Sequence, residues 1–249
     1  MKNQVTASLV IIGNEILSGR TQDKNLAYIA HKLNEKGIQL REVRVVPDIE
    51  AEIVDAINAV RKRYDYVFTT GGIGPTHDDI TTESVAKAFG VKTYRHPEAE
   101  AALRSYIPAE RINEARLKMA DVPVGAELVP NPVSAAPGFH MENVFVMAGI
   151  PNIMQAMLEA ILPLLKSGVT MQSISLTTDL PEGTIADGLT QIQNRYPNID
   201  VGSYPRFVDG RGITTLVFRS SDTEKNTQAA QELRQLVSAL NGNIIHEPT

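Results

Sequence analysis

The feature that most constrains the fold is an alternation of short apolar runs and amphipathic stretches along the first seventy residues. The run from Val5 to Ile12 is rich in β-branched residues and ends at Gly13, which is typical of a parallel strand buried on both faces. The predicted elements that follow are a helix at 25–36, a strand at 43–46, a helix at 49–63 and a strand at 66–70. This order predicts a parallel sheet with helices on both faces.

The pattern changes after Gly168, and the change predicts a second domain. A strand at 144–147 and a long helix after it complete the first domain, while residues 94–139, which contain several prolines, are predicted to cross over and return toward the site. Residues 173–246 then follow the ferredoxin-like order of strand, helix, strand, strand, helix, strand. We therefore expect a doubly wound, mostly parallel α/β domain at 1–168 and a small α+β domain at 169–249.

Charge and composition limit the class of partner. The chain has 249 residues, with 24 Lys or Arg against 29 Asp or Glu, so its formal net charge is -5 and no nucleic-acid partner is expected. The absence of cysteine excludes disulfides and thiolate metal sites. No run of about 18 apolar residues occurs, and the first strand lacks a signal-peptide cleavage site. We therefore expect a cytoplasmic protein without a membrane partner.

The stretch from Thr69 to Asp79, with the sequence TTGGIGPTHDD, is the most informative segment for function. Glycines at positions 71, 72 and 74 allow positive φ angles and let an anion approach backbone N–H groups. A helix predicted to begin near Thr81 would direct its positive end to the same place. Because ligands collect at the carboxyl ends of parallel strands, the segment predicts a phosphate-binding site.

Two acidic side chains, Asp78 and Asp79, stand beside this predicted anion pocket. Adjacent carboxylates would repel a phosphate unless a cation lay between them, so either is a candidate ligand for Mg²⁺. Asp48 and Glu15 follow neighbouring strands and are candidate second ligands. An alternative stays open at this point, in which Asp79 caps the helix and the glycines only end a strand.

Two further observations narrow the chemistry of the loop. His77 could contact a phosphate or act as a general acid, but a solvent-facing side chain fits the sequence equally well. The glycines are not followed by Gly-Lys-Ser/Thr, so the loop is not that of a P-loop nucleotide hydrolase.

Several segments together resemble a known family. The loop at 69–81, TTGGIGPTHDDIT, closely resembles the signature of the molybdopterin-binding domain shared by MoaB, MogA, MoeA and the CinA family. Further similar segments, spread over nearly the whole chain, are GNEILSG at 13–19 followed by Asn25, PNPV at 130–133, APG at 136–138 and GSYP at 202–205. The chain is thus similar to a CinA-family protein in a stand-alone form, without the C-terminal deamidase domain, so nicotinamide-nucleotide deamidation is not expected.

This resemblance implies a molybdopterin-binding fold and a pocket for a nucleotide or pterin. Asp79 would match the aspartate on which activity depends in the molybdopterin enzymes, and Asp48 the aspartate after the second strand, so both are expected to be catalytic. CinA-type domains are associated with ADP-ribose hydrolysis stimulated by a divalent metal and by potassium, and a similar domain of eukaryotic FAD synthases with FAD hydrolysis. The implied cofactors are Mg²⁺ or Co²⁺ and K⁺, with molybdopterin as an alternative ligand.

The predicted site combines the loop with residues from other segments. Its metal ligands would be Asp48, Asp78 and Asp79. Its ligand-binding residues would be Thr70, Gly71, Gly72, Ile73, Gly74, Pro75, Thr76, Asn14, Glu15, Ser134 and Gly138. Two departures from the family pattern affect it. The residues at 134–135 are Ser-Ala where Gly-Thr is common, and those at 148–151 are Ala-Gly-Ile-Pro where Pro-Gly-Pro-Pro is usual.

The preferred hypothesis is a metal-dependent nucleotide pyrophosphatase that acts on ADP-ribose or a related dinucleotide such as FAD. Two alternatives stay open: a protein that binds or adenylylates molybdopterin in molybdenum cofactor biosynthesis, and a nucleotide-binding module without catalysis. A homo-oligomer is expected, and the sequence does not distinguish a dimer from a trimer.

Overall fold

A computed structural model gives the fold of the chain and describes residues 4–208 and 210–246. The chain divides into two compact units, with the division between Val169 and Thr170. None of the described helices combines the length and the apolar content that a membrane crossing requires.

Strands and helices alternate through residues 4–169. In chain order they are β1 (Val5–Ile12), α1 (Asn14–Leu17), α2 (Asn25–Glu35), β2 (Ile38–Val46), α3 (Glu50–Val60), β3 (Tyr66–Thr70), α4 (Thr81–Phe89), β4 (Thr93–Arg95), α5 (Pro97–Tyr106), α6 (Glu114–Leu117), β5 (Asp121–Pro123), β6 (Glu127–Val129), β7 (Gly138–Met141), β8 (Val144–Met147) and α7 (Pro151–Ile161). The predicted strands at β1, β3 and β8 have the expected bounds.

Within this unit, six of the described strands form one sheet in the order β2-β1-β3-β8-β7-β6. Strands β2, β1, β3 and β8 are parallel, and β7 and β6 continue the sheet as antiparallel strands. The chain runs from β1 to β2 on one side and then crosses to β3 on the other. The strand order therefore reverses between β1 and β3, and such a reversal opens a crevice where ligands bind.

Helices cover both faces of this sheet, and β1 shows why. Leu9 and Ile11 belong to the apolar core beneath α2 and α7, whereas Val10 and Ile12 belong to the core beneath α3 and α4. Burial of one such side chain stabilises the fold by about 1.5–3 kcal/mol, so both faces of the strand contribute. The predicted doubly wound class is confirmed.

Two regions differ from the sequence-based expectation. Strand β2 begins at Ile38, whereas the sequence predicted a start at 43. The strand lies at the sheet edge and alternates half-buried with exposed residues, so its first half lacks the apolar run that marks the central strands in the sequence. For residues 94–139 the sequence predicted helical segments in a crossover and a return loop, but no strands. The structure places there the two-stranded β4-β5 sheet and the β6-β7 pair, whose strands of three or four residues are too short to show a period.

The C-terminal unit has the predicted ferredoxin-like order in residues 170–208 and 210–246. Its elements are β9 (Gln172–Thr178), α8 (Glu182–Arg195), β10 (Asp200–Val208), β11 (Arg211–Ser220), α9 (Thr223–Ala239) and β12 (Ile244–His246). The strands form an antiparallel sheet in the order β10-β11-β9-β12. Side chains of α8 and α9 share a core with Leu176, Leu216 and Phe218 of this sheet.

Candidate functional site

The segment after β3 turns sharply, and two glycines make the turn. Gly71 and Gly72 have φ angles of 100° and 69°, in the region that side chains other than glycine rarely adopt. A Cβ on Gly71 would collide with the backbone oxygen of Ile12, and one on Gly72 with the hydroxyl of Thr81. Glycine is therefore required at both positions by conformation and by space.

The turn leaves a row of free backbone amides. The Gly71 amide donates to the Met147 carbonyl at 3.1 Å and extends the sheet pairing. The next three amides, at positions 72–74, donate to no atom of the described residues. The first amide of α4, from Thr81, donates to the Gly72 carbonyl at 2.9 Å. The helix thus fixes the turn, and the amides at 72–74 are the ones left to meet an anion.

Asp79 belongs to the loop and not to the helix. Its Oδ2 accepts a hydrogen bond from the Thr76 amide at 2.8 Å and lies 2.6 Å from the Thr76 hydroxyl oxygen. The N-cap position of α4 is Ile80, and no side chain caps the helix there. The interpretation of Asp79 as a helix cap is therefore wrong. The Thr76 hydroxyl also approaches Asp78 to 2.6 Å, and this hydrogen bond lowers the pKa of Asp78.

A cavity of about 550 Å³ lies above the carboxyl ends of β1, β3 and β8. The predicted site residues along it are Glu15, Gly71, Gly72, Ile73, Gly74, Pro75, Thr76, Asp79 and Ser134. The sequence-based site did not include the other lining residues, which are Thr21, Met119, Asn131, Ala136, Ala148, Gly149, Ile150, Pro151 and Ile153. The cavity lies where the reversal of strand order predicts a ligand.

The lining residues outside the prediction form much of the apolar wall. Met119 comes from a turn before β5, Ile150 from the loop after β8, and Ile153 from α7. An apolar wall of this kind suits a planar ring such as a purine or a pterin. No local pattern marks these residues, because only the tertiary fold brings the three segments together. The altered turn at 148–151 was the one signal that pointed to this part of the chain.

Five predicted residues lie outside this lining, and the contacts of Asp48, Asn14 and Gly138 show what these three do. Asp48 accepts a hydrogen bond through Oδ2 from the Asn14 amide at 2.9 Å, so this pair joins the loop after β2 to the start of α1. Gly138 begins β7, where a Cβ would collide with the backbone of Val146. The side chain of Asp78 is 57% exposed. A fifth residue, Thr70, lines a smaller adjoining cavity.

The side chain of Asn131, which is 7% exposed, makes several hydrogen bonds within the proline-rich return loop, and the Tyr106 hydroxyl donates a further one to the Val133 carbonyl at 3.0 Å. The Asn131 Oδ1 accepts from the amides of Val133 and Ser134, and its Nδ2 donates to the Ser134 hydroxyl at 2.7 Å and to the Ala136 carbonyl at 2.8 Å. Because the Ser134 oxygen is an acceptor here, its own hydrogen can be donated to a ligand. Ala135 follows with a φ angle of 61°.

The acidic groups of the cavity are Glu15 and Asp79. Lys118 lies behind the loop and donates to the Asp79 carbonyl at 2.7 Å while pairing with Glu83 at 3.4 Å. The His77 side chain is 98% exposed and does not line the cavity. Within the part of the chain that the structure describes, no three His, Asp or Glu side chains converge on a metal site. Two carboxylates facing one cavity still suit Mg²⁺, which usually keeps several waters and binds substrate phosphates.

Comparison with known proteins supports the same class. The family profile described as "Probable molybdopterin binding domain" matches residues 8–167, and "FAD synthase, middle domain" matches 170–243. A protein of Archaeoglobus fulgidus is 35% identical over 92% of this chain and 97% of its own. A CinA-like protein of Desulfosudis oleivorans is 32% identical over 91% of this chain, which spans 57% of its length. The crystal structure of CinA from Thermoplasma acidophilum, of unknown function, is 36% identical and superimposes with a TM-score of 0.59, covering 63% of this chain and 96% of that one.

The fold, the glycine turn and the cavity define a protein built on a molybdopterin-binding type of α/β domain, followed by a small α+β domain that is similar to the middle domain of FAD synthase. The chain belongs to the CinA-like family of molybdopterin-binding domain proteins. The resemblance drawn from the motifs at 13–19 and 69–81 is confirmed.

Proposed function

We propose that this protein binds a nucleotide in the cavity and hydrolyses its pyrophosphate bond, with ADP-ribose or an FAD-like dinucleotide as substrate. The observation that carries the proposal is the row of amides at 72–74 that donate to no described residue, beside the Asp79 carboxylate and inside a cavity with an apolar wall. Such amides bind phosphate oxygens and can stabilise the charge that develops on them during hydrolysis.

The cavity separates a polar part from an apolar part, as a nucleotide requires. The phosphates would lie on the amides at 72–74, with the Ser134 hydroxyl as a further donor. The base would lie against Met119, Ile150 and Ile153. The volume of about 550 Å³ is within the range that binds ligands of this size.

A divalent cation, Mg²⁺ or Co²⁺, would be held by Asp79 and Glu15 and would offset the charge of the pyrophosphate. The Asp79 carboxylate is oriented through Oδ2 by Thr76, and its Oδ1 accepts no hydrogen bond from the part of the chain that the structure describes. Water attacks one phosphorus, the anhydride P–O bond breaks, and ADP-ribose yields AMP and ribose 5-phosphate. Asp48, predicted to be catalytic, would act by positioning α1, which carries Glu15. Activation by K⁺ and a dimeric or trimeric assembly stay predictions.

The test compares two neighbouring aspartates. Asp79→Asn keeps the Thr76 hydrogen bonds but removes the charge inside the cavity, so turnover of ADP-ribose with Mg²⁺ or Co²⁺ should fall about 100-fold or more. The matched control Asp78→Asn removes the same charge from a residue outside the lining and should keep turnover within about threefold. Equal losses in both variants, or none in Asp79→Asn, would contradict the role of Asp79. If the wild-type protein turned over neither ADP-ribose nor FAD, the proposed hydrolysis would be refuted. The alternative of a nucleotide-binding module without catalysis would then remain.

A second candidate, binding of molybdopterin, is supported by the family description and by the apolar wall. A pterin carries a planar ring and a phosphate and would use the same two parts of the cavity. Fluorescence titration with a pterin and with ADP-ribose separates the candidates, because the preferred ligand should bind at least about tenfold more tightly.

A further inference from the structure

A second, smaller cavity of about 70 Å³ adjoins the large one. It lies at the carboxyl ends of β1 and β3, beside the start of α2, and shares Glu15, Thr21, Gly149 and Pro151 with the large cavity. One water needs roughly 10–15 Å³ by the same kind of measure, so the space admits a group of several heavy atoms.

Two buried side chains in this cavity carry polar atoms that no described residue satisfies. Asn25 is 4% exposed and its Oδ1 has no hydrogen-bond partner among the described residues, and Thr70 is 1% exposed with its Oγ1 in the same state. Buried polar atoms are nearly always paired, because an unpaired one loses its hydration without compensation. Their position in a cavity that opens on the nucleotide site therefore points to a ligand.

Apart from the Thr70 hydroxyl, whose hydrogen has no acceptor among the described residues, the donors of the buried wall are already used, so the wall offers mainly acceptors. The Asn25 Nδ2 donates to the Gly149 carbonyl at 2.8 Å. The amides of Asn25 and Leu26 donate to the Asp23 carboxylate at 3.1 Å and 2.8 Å, so the N-terminus of α2 is closed. The Glu15 carboxylate adds further acceptors at the shared rim. Thr21, Gln22 and Lys24 line the cavity as exposed side chains. A phosphate is disfavoured against such a wall, and a group that donates hydrogen bonds and can also accept one from Thr70 is favoured.

We propose that this cavity binds the ribose hydroxyls of the nucleotide whose phosphate lies on the amides at 72–74, an assignment that rests on the proposed function. Asn25 Oδ1 and Glu15 accept hydrogen bonds only, while the Thr70 hydroxyl needs an acceptor for its own hydrogen. A vicinal diol donates and accepts, so it satisfies all three. An ammonium group or a metal ion would leave the Thr70 hydrogen unpaired.

Two adjacent threonines provide the test. Thr70→Val removes the hydroxyl in the cavity, and the matched control Thr69→Val removes an equally buried, equally unpartnered hydroxyl that does not line it. Titration calorimetry would use AMP and 2′,3′-dideoxy-AMP. We expect the wild-type protein and Thr69→Val to bind AMP about five- to tenfold more tightly than the dideoxy compound. Thr70→Val should lose most of that preference by weakening AMP alone.

Neither variant removes a hydrogen bond within the described residues, so thermal unfolding should show both folded. Equal affinity of the wild-type protein for the two ligands would overturn the subsite, as would an equal effect of Thr70→Val on both. A potassium requirement with no diol preference would instead assign the cavity to a cation. A preference for the diol without turnover of ADP-ribose or FAD would support the subsite and refute the pyrophosphatase, and turnover without that preference would do the reverse. If AMP does not bind at all, both are wrong.

Discussion

The two cavities present a ligand with two walls of opposite hydrogen-bonding character. One, which we call the donor wall, consists of the backbone amides at 72–74. The other, which we call the acceptor wall, consists of the side-chain oxygens of Glu15, Asn25 and Thr70. A nucleotide has a phosphate that only accepts and a sugar that can donate, so the two walls together would orient it. This difference between the walls would therefore determine the orientation of the bound nucleotide as well as its affinity.

The walls also differ in what holds them in place. The donor wall is backbone and depends on the positive φ angles of Gly71 and Gly72. The acceptor wall is made of side chains from three separate segments, at β3 and at the starts of α1 and α2. Substitutions in the donor wall should therefore lower the stability of the fold. Substitutions in the acceptor wall should instead change which ligand is bound more tightly.

The largest expected effect on stability is at Gly72. Gly72→Ala adds a Cβ that would collide with Thr81 at a φ angle of 69°, and we expect a loss of about 3 kcal/mol from the free energy of unfolding, with AMP binding abolished. Gly90 is the matched control, since its φ angle is 70° and no heavy atom lies within 4 Å of a Cβ built there. Gly90→Ala should cost only about 1 kcal/mol.

Urea unfolding, followed by calorimetry with AMP, measures both effects. A similar loss in the two variants would mean that backbone conformation alone shapes the turn. The close contact with α4 would then have no part in the donor wall.

A smaller effect on stability is expected in the return loop, which lines the same cavity. This loop also contains a residue with a positive φ angle, but that residue is an alanine and not a glycine. Ala135 has a φ angle of 61°, so Ala135→Gly should raise the free energy of unfolding by about 1 kcal/mol. Asn241→Gly, at a φ angle of 59°, is the control and should change it by less than about 0.5 kcal/mol, because asparagine tolerates this conformation. Denaturant titration would refute the assignment of strain if Ala135→Gly were destabilising.

The smallest effect is expected at Glu15, where the two walls meet. Glu15→Gln keeps an acceptor oxygen but removes a negative charge, so without divalent metal AMP should bind about two- to threefold more tightly. With Mg²⁺ this gain should disappear, because the variant holds the cation less well. Glu52→Gln, an exposed acid in the first turn of α3, should change neither value. Calorimetry at low salt, with and without Mg²⁺, measures these AMP affinities. If Glu15→Gln bound AMP more tightly by the same factor in the presence of Mg²⁺, Glu15 would be excluded as a ligand of the metal.

The donor wall could be predicted from the sequence, whereas of the acceptor wall only Glu15 and Thr70 were placed in the site, and neither was predicted to contact a sugar. The adjacent glycines Gly71 and Gly72 predict positive φ angles from the local sequence alone, and the apolar run before them predicts the strand that they end. Thr70 was placed among the ligand residues only as part of that motif, while Asn25 appeared in the resemblance without a role. A ligand-binding role for their side-chain oxygens can be inferred only from the structure, which shows that both oxygens are buried and have no hydrogen-bond partner among the described residues. The same holds for Asp79, whose place in the loop depends on its contact with Thr76.

The central claim is that a nucleotide lies across both walls in one direction. A crystal structure of the protein with AMP tests this most directly. The account predicts phosphate oxygens within hydrogen-bonding distance of the amides at 72–74, and ribose hydroxyls on Asn25 and Thr70. A phosphate bound elsewhere, or a ribose turned away from these two side chains, would contradict it.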